Sequence, residues 1–324
     1  FDARKIRPYF EYAKVKQGVF DITSRLFGVR YVPRPDVKTW APAIEAYDVF
    51  DLDGAPVGRF YLDMHPRANK FKHAAQWSLV EGQAGRRLPE AVLMCNFPAP
   101  GAEPALMEHA QVVTFFHEFG HLLHHLFAGR VQWAGISGTR TEQDFVEAPS
   151  QLLEEWTRDY ESLSTFARDY KTNAVIPAEL VQQMRHADAF SRGMGVRQQM
   201  FYAALSLDLY ENQGWAKDST ALVKKTMEQF TPYRYVPGTY LQASFGHLNG
   251  YSAVYYTYMW SLVIAKDLYT PFQSSDIFNT ATAGRYRKTV LDPGGSKPAA
   301  ELVKDFLGRD YSFDAYSAWL NRTE

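Results

Sequence analysis

A single cysteine, Cys95, occurs in the chain, so no internal disulfide can hold the fold. It lies in the apolar run A-V-L-M-C-N-F, where a buried, inert thiol is expected and a reducing, cytoplasmic setting fits best. Neither charge is in excess: 35 basic residues face 36 acidic ones, for a net charge of −1. That balance excludes the basic footprint of a nucleic-acid binder. The basic runs Arg86-Arg87 and Arg285 to Lys288 read as solvated surface. No apolar stretch approaches the roughly 20 residues needed to cross a bilayer, and no signal-peptide pattern is present, so a membrane is not an expected partner either. Phe1 stands where an initiator Met would, and the chain is expected to be a processed or trimmed piece. Neither G-x-S-x-G nor G-x-G-x-x-G occurs, which removes support for serine-nucleophile and dinucleotide-binding readings. Repeats and low-complexity linkers are also missing, so residues 1–324 are expected to form one compact unit.

What is present is abundant core material: 46% of the residues are hydrophobic and 15% aromatic. Ile6, Phe10, Val15, Val19, Phe20, Ile22 and Leu26 share one face at helical spacing, which predicts a helix over 4–27. Between about 45 and 98 the period shortens. Asp53-Gly54 sits between two β-rich runs and predicts a hairpin. The D-L-D-G piece resembles the start of a calcium loop, but the later ligands and the closing Glu are missing, so it reads as a turn. Further strands are expected near 71–79 and 91–97. Beyond them the pattern is mostly helical, broken by Pro and Gly around 231–250 and 292–298. The expected architecture is mainly α, with a small antiparallel β-sheet leading into a helical body.

The segment Q-V-V-T-F-F-H-E-F-G-H-L-L-H-H-L-F-A-G carries the chemistry. Val112, Phe116, Phe119, Leu123 and Leu126 step by four and three, the mark of a helix with one buried stripe, and Gly129 is a natural stop. His117 and His121, four apart, project from one face a turn apart. Both ring nitrogens can then reach one Zn²⁺ at about 2.0–2.1 Å. Glu118 follows the first His and can act as general base without being a ligand, the H-E-x-x-H arrangement. His121 and His125 are also four apart, but that register puts Leu122 at the base position. His124 and His125 therefore read as packing or supporting residues.

A catalytic zinc takes three protein ligands and keeps one position open, whereas a purely structural site is closed by four. No third His falls at the metzincin position, since residue 127 is Phe. A carboxylate from a second helix is expected, and Glu142, Asp144, Glu147, Glu154 and Glu155 are all candidates that spacing cannot separate. The order H-E-F-G-H-L-L-H-H-L-F, then S-G-T-R-T-E-Q-D-F-V-E-A-P-S-Q-L-L-E-E-W, resembles the thimet oligopeptidase and neurolysin family of zinc oligopeptidases. V-G-R-F-Y-L-D-M-H-P-R, K-H-A-A-Q-W, and D-P-G-G-S followed by F-L-G-R-D look like landmarks of the same family in the same order. The resemblance implies a helical, zincin-type metallopeptidase catalytic domain, one Zn²⁺, and Glu147 in F-V-E-A-P-S-Q as third ligand. Asp144, one turn earlier, is the candidate partner for a ligating His; as a residue type it would equally suit a helix N-terminus. The similarity covers the family's C-terminal, catalytic portion. The family's first half, which helps to wall its channel for short peptides, has no counterpart here and is expected to be needed for the full channel.

Tyr251, Tyr255 and Tyr258 are spaced by four and three, so three phenols are expected on one helical face. Composition alone reads them as an aromatic core stripe. The resemblance implies instead that His247 and these tyrosines bind substrate and the tetrahedral oxyanion, with His247 and Tyr251 on the substrate and Tyr255 and Tyr258 at the oxyanion. The loop reads H-L-N-G-Y, a residue shorter than is common in the family. The expected reaction is hydrolysis of short peptides by metal-activated water, with Glu118 relaying the proton. A peptidyl-dipeptidase of the same superfamily and a non-catalytic zinc-stabilised module are the rival readings.

Overall fold

The computed structural model describes residues 1–101, 103–211, 218–274 and 276–322. The first long helix, α1, runs Tyr12–Phe27 and ends at Gly28, whose φ of 64° closes the last turn with a 2.9 Å bond from its amide to the Ser24 carbonyl. The predicted helix from residue 4 starts later than expected. Residues Ala3–Lys5 and Arg7–Tyr9 are separate 3₁₀ turns, because Pro8 has no amide to donate into a helix. The chain then extends, and Phe10 and Tyr12 bond to Met107 and Ala105.

Five strands follow: β1 (Val29–Pro33), β2 (Glu45–Asp51), β3 (Pro56–Asp63), β4 (Ala75–Val80) and β5 (Glu90–Met94). The β2–β3 hairpin turns at Asp53-Gly54. Gly54 has φ 88° there, and its amide bonds to the Asp51 carbonyl at 2.9 Å. The sheet order is β1-β2-β3-β5-β4. The sheet is mixed rather than antiparallel, since β3 and β5 pair in parallel. The reason is the crossover. After β3 the chain moves to the outer edge to form β4, then returns as β5 in the gap between them. A buried cation fixes that crossover: Lys70 Nζ donates to the Asp63 and His65 carbonyls at 2.8 Å each and to the Cys95 carbonyl, and pairs with the Asp63 carboxylate at 2.9 Å. Cys95 itself is fully buried, and burial pushes its thiol well above the usual range.

The helical body then begins with α2 (His109–Phe127), α3 (Ala148–Leu153), α4 (Tyr160–Phe166), α5 (Ala178–Ala189) and α6 (Arg192–Tyr210). It continues through α7 (Ser219–Phe230), α8 (Leu241–Ser244), α9 (His247–Gly250) and α10 (Thr257–Gln273), and ends with α11 (Thr280–Tyr286), α12 (Ala299–Leu307) and α13 (Asp314–Asn321). Phe20 of α1, Tyr31, Tyr47 and Phe60 of the sheet and Phe119 of α2 meet ring to ring, with Phe60 and Phe119 edge-on at 5.8 Å. This joint anchors α2 under the sheet. Phe119 is wholly buried between the two histidine positions, so truncating it to Ala would cost about 3–5 kcal/mol. A second, smaller core gathers α6, α7 and the 241–255 segment around Phe201, Leu205, Val223 and Phe245.

Candidate metal and active centre

Helix α2 opens with a capping box. The Glu108 carboxylate accepts from the Gln111 backbone amide, and Gln111 Oε1 accepts from the Glu108 backbone amide at 2.9 Å, satisfying donors a helix start would leave bare. Gly129, expected to stop the helix, lies instead in a 3₁₀ turn against Pro89, where a Cβ would sit 2.3 Å from the proline Cγ. Within α2 the glycine that matters is Gly120. A Cβ there would stand 2.7 Å from the Ser150 Cα, so only glycine lets α2 and α3 touch backbone to backbone. That contact carries Glu147, the residue capping α3, across to the histidines.

The result is a compact donor set. Glu147 Oε2 lies 3.1 Å from both His117 Nε2 and His121 Nε2, and the three ligand atoms all fall within 4.8 Å of one another. Three donors at about 2.0–2.1 Å from a tetrahedral zinc stand about 3.3 Å apart, so the two imidazoles and the carboxylate fit a metal, and zinc suits that donor chemistry. Ser150 Oγ steadies Glu147 at its carbonyl (2.9 Å) and at Oε2 (3.3 Å). The Tyr251 hydroxyl donates to the other oxygen, Oε1. Burial opposes charge on Glu147, but the charges of His121 and His117 and their hydrogen bonds outweigh it and hold the carboxyl well below the usual range.

Glu118 lines the same cleft as His117 and His121. Burial pushes its carboxyl above the usual range, against the pull of His117 and His121, which makes it a stronger base. The cleft has a volume of about 360 Å³. Its lining includes Phe71, His73 and the β4 residues Ala75 to Trp77, together with His247, Asn249, Tyr251 and Tyr258.

The residues expected to gather do so unequally. His117, Glu118, His121, Glu147, His247, Tyr251 and Tyr258 all line this cleft, and Tyr255 is not among its lining residues. The three phenols do not share a helical face, because the chain runs as turns from Tyr251 to Tyr256 and α10 begins only at Thr257. Tyr255 instead turns toward α6, where its hydroxyl donates to Gln199 Oε1 at 3.2 Å and its ring packs on Tyr202 and Phe245. Tyr258 is held at the cleft by its carbonyl, which accepts from Gln151 Nε2 of α3 at 2.9 Å. Burial pushes both the Tyr251 and Tyr258 hydroxyls up, so both are neutral donors. Burial also lowers the pKa of His247.

The carboxylate that meets a candidate ligand histidine is Glu154, not Asp144. Glu154 Oε1 lies 2.9 Å from His117 Nδ1, and Arg158 flanks its second oxygen at 3.4 Å. Asp144 Oδ2 instead accepts from the Tyr256 hydroxyl at 2.8 Å. The signal for Glu154 was its place one face-turn beyond Ser150 on the α3 side; choosing it needed the helix crossing. His124 and His125 pack: His125 Nε2 reaches the Val80 and Glu90 carbonyls at 3.2 Å each, tying α2 to β4 and β5.

A helix bearing paired histidines and a glutamate, set beneath a small mixed sheet and facing a glutamate at the cap of a second helix, is the zincin-type peptidase fold. More narrowly, the chain belongs to peptidase family M3, whose model matches residues 1–322. Oligopeptidase A of Escherichia coli (strain K12) is 32% identical over 326 residues, covering 96% of this chain and 47% of that protein. Dipeptidyl carboxypeptidase of the same strain is 33% identical over 316 residues, covering 95% and 46%. The thimet-like oligopeptidase of Dictyostelium discoideum is 32% identical, covering 95% and 47%. The chain thus spans about half the length of these curated relatives. Among solved structures, the Pyrococcus furiosus carboxypeptidase shares the fold with a TM-score of 0.55 at 16% identity, over 96% of this chain and 58% of that one. No helix among the described residues is long and apolar enough to cross a membrane.

Proposed function

We propose that residues 1–324 act as one catalytic unit that hydrolyses short peptides with a zinc ion held by His117, His121 and Glu147. The observation that carries this reading is the Glu147 carboxylate 3.1 Å from both histidine nitrogens, with Glu118 in the same cleft. A zinc ion held there would supply Lewis-acid polarisation of the scissile carbonyl and of the attacking water. Glu118 takes the proton of the attacking water and returns it to the departing amine. Tyr258 donates its hydroxyl to the tetrahedral oxygen. Tyr251 fixes the Glu147 carboxylate, Glu154 orients His117, and His247 stands on the substrate side of the cleft. The extended substrate backbone runs beside β4, an edge strand with no neighbour on its outer side among the described strands, where strand addition would align the scissile bond. A cytoplasmic setting belongs to the same reading, supported by the one buried, free cysteine.

Identity does not separate cleavage inside a peptide from release of dipeptides, since relatives named for each match equally well. The described residues lining the cleft include no Lys or Arg to pair with a terminal carboxylate, which favours internal cleavage. Purified protein should contain about one zinc per chain, and it should cut a ten-residue peptide equally well with a free or an amidated C-terminus. Metal-free protein with full activity would sink the zinc mechanism; cleavage that needs the free carboxylate would establish the dipeptide reading.

A further inference from the structure

We infer that Asp144 is a positioning residue for the reaction: its bond to the Tyr256 hydroxyl holds the nearby Tyr258 hydroxyl where the tetrahedral oxygen forms. The inference rests on the peptidase reading of the cleft and adds a residue that acts from outside it. Neither Asp144 nor Tyr256 is among the residues lining the cleft, whereas Tyr251 and Tyr258 are. An effect of Asp144 on catalysis therefore passes through a neighbour rather than through contact with substrate.

The segment that carries the cleft tyrosines has little regular backbone structure of its own. Residues 251–256 run as turns, Ser252 has φ 52°, and α10 starts at Thr257 without a side-chain cap bond. A serine at positive φ is disfavoured and persists only where its surroundings hold it. At one end Ser206 Oγ of α6 donates to the Ser252 carbonyl at 2.6 Å. At the other end the chain around Glu147 grips the segment. The Tyr256 hydroxyl donates to Asp144 Oδ2 at 2.8 Å, Thr257 Oγ1 to the Gln143 carbonyl at 2.9 Å, and Ser261 Oγ to the Asp144 carbonyl at 2.8 Å. Gln151 Nε2 donates to the Tyr258 carbonyl at 2.9 Å. Glu147 lies between Asp144 and Gln151 in the chain, so its carboxylate and the Tyr258 hydroxyl share one frame. Of these four bonds, the one between Tyr256 and Asp144 joins two side chains, and its acceptor is a carboxylate, which bonds more strongly than a neutral group. It fixes the point where the turns become helix, two positions before Tyr258. A shift of about 1 Å in a group aimed at the reacting centre costs up to about 100-fold in rate.

The test measures peptide hydrolysis, zinc content and amide hydrogen exchange for Asp144→Ala, Asp144→Asn and Tyr256→Phe in the full 324-residue chain. Asp144→Ala and Tyr256→Phe should each lower kcat roughly tenfold, with KM and zinc content unchanged. Asp144→Asn keeps an acceptor oxygen and should recover most of the rate. Asp144→Ala combined with Tyr256→Phe should cost no more than either alone, because both remove the same bond. In a Tyr258→Phe background Asp144→Ala should add no loss, since the hydroxyl it positions is gone. Exchange across residues 251–258 should quicken in Asp144→Ala and Tyr256→Phe and stay near wild type in Asp144→Asn. Wild-type kcat in both single variants, a loss carried by KM, or a further roughly tenfold loss in the Tyr258→Phe background overturns the inference. If the wild-type chain cuts no peptide, the peptidase reading fails instead, and the exchange still decides whether Asp144 holds the tyrosine segment.

Discussion

Replacing Glu154 isolates how much the buried carboxylate behind His117 contributes to metal binding. Its Oε1 lies 2.9 Å from His117 Nδ1, a charge-assisted contact worth about 1.5–3 kcal/mol. With that partner gone the imidazole loses both its fixed orientation and the charge that makes its other nitrogen a better donor. Glu154→Ala is therefore expected to weaken zinc binding about 10- to 100-fold, or about 1.4–2.8 kcal/mol. Glu154→Gln, which keeps the shape but not the charge, should fall between Ala and wild type. The assay is competition against a zinc chelator at neutral pH. A metal-free readout runs beside it. Burial works against protonation of His117, but the bonds to Glu147 and Glu154 prevail and lift its pKa well above the usual value, so the alanine variant should titrate His117 lower in the apo protein. Asp144→Ala is the control, since that carboxylate is bonded to Tyr256, and it should leave zinc affinity unchanged. Wild-type affinity in Glu154→Ala, or an equal loss in Asp144→Ala, would refute the reasoning.

Glu118→Gln should keep its zinc and lose nearly all peptide cleavage, because the ligand set is untouched while the base is gone; normal turnover would remove Glu118 from the mechanism. Tyr258→Phe should lower kcat about 100- to 1,000-fold with KM little changed. Tyr255→Phe, whose hydroxyl bonds Gln199, should instead cost about 1 kcal/mol of stability and leave kcat alone; melts beside steady-state kinetics separate the two. His124 is wholly buried with neither ring nitrogen hydrogen-bonded, and burial lowers its pKa to about 3. Its unfolded value is about 6.5, so the unfolded chain binds the extra proton, and stability present above that pH is lost progressively between about 6.5 and 3, by about 5 kcal/mol in full. His124→Leu should flatten this part of a plot of urea midpoint against pH, and an unchanged slope would show that other groups govern acid unfolding.

How much of this was legible in residue order follows from how local each determinant is. The α2 stripe, the four-residue spacing of His117 and His121, and the Asp53-Gly54 turn depend on contacts within a few residues, so the sequence by itself determined them. The strands β2 to β5 were visible for the same reason, whereas β1 (Val29–Pro33) lies before the stretch where strands were expected. The parallel pairing of β3 with β5 was not, because it depends on a crossover pinned by Lys70 to carbonyls from residues 63 to 95. Likewise, motif resemblance singled out Glu147, but its meeting with the histidines depends on Gly120 letting Ser150 close in. The tyrosines show the limit most plainly. Their spacing fits one helical face, yet the turns from Tyr251 to Tyr256 send Tyr255 into the aromatic cluster of α6 and leave Tyr251 and Tyr258 at the cleft. Which carboxylate backs His117 was likewise a tertiary decision. Glu154 and Asp144 are equivalent as residue types, and only the crossing of α2 with the α3 segment brings Glu154 within 2.9 Å of the ring.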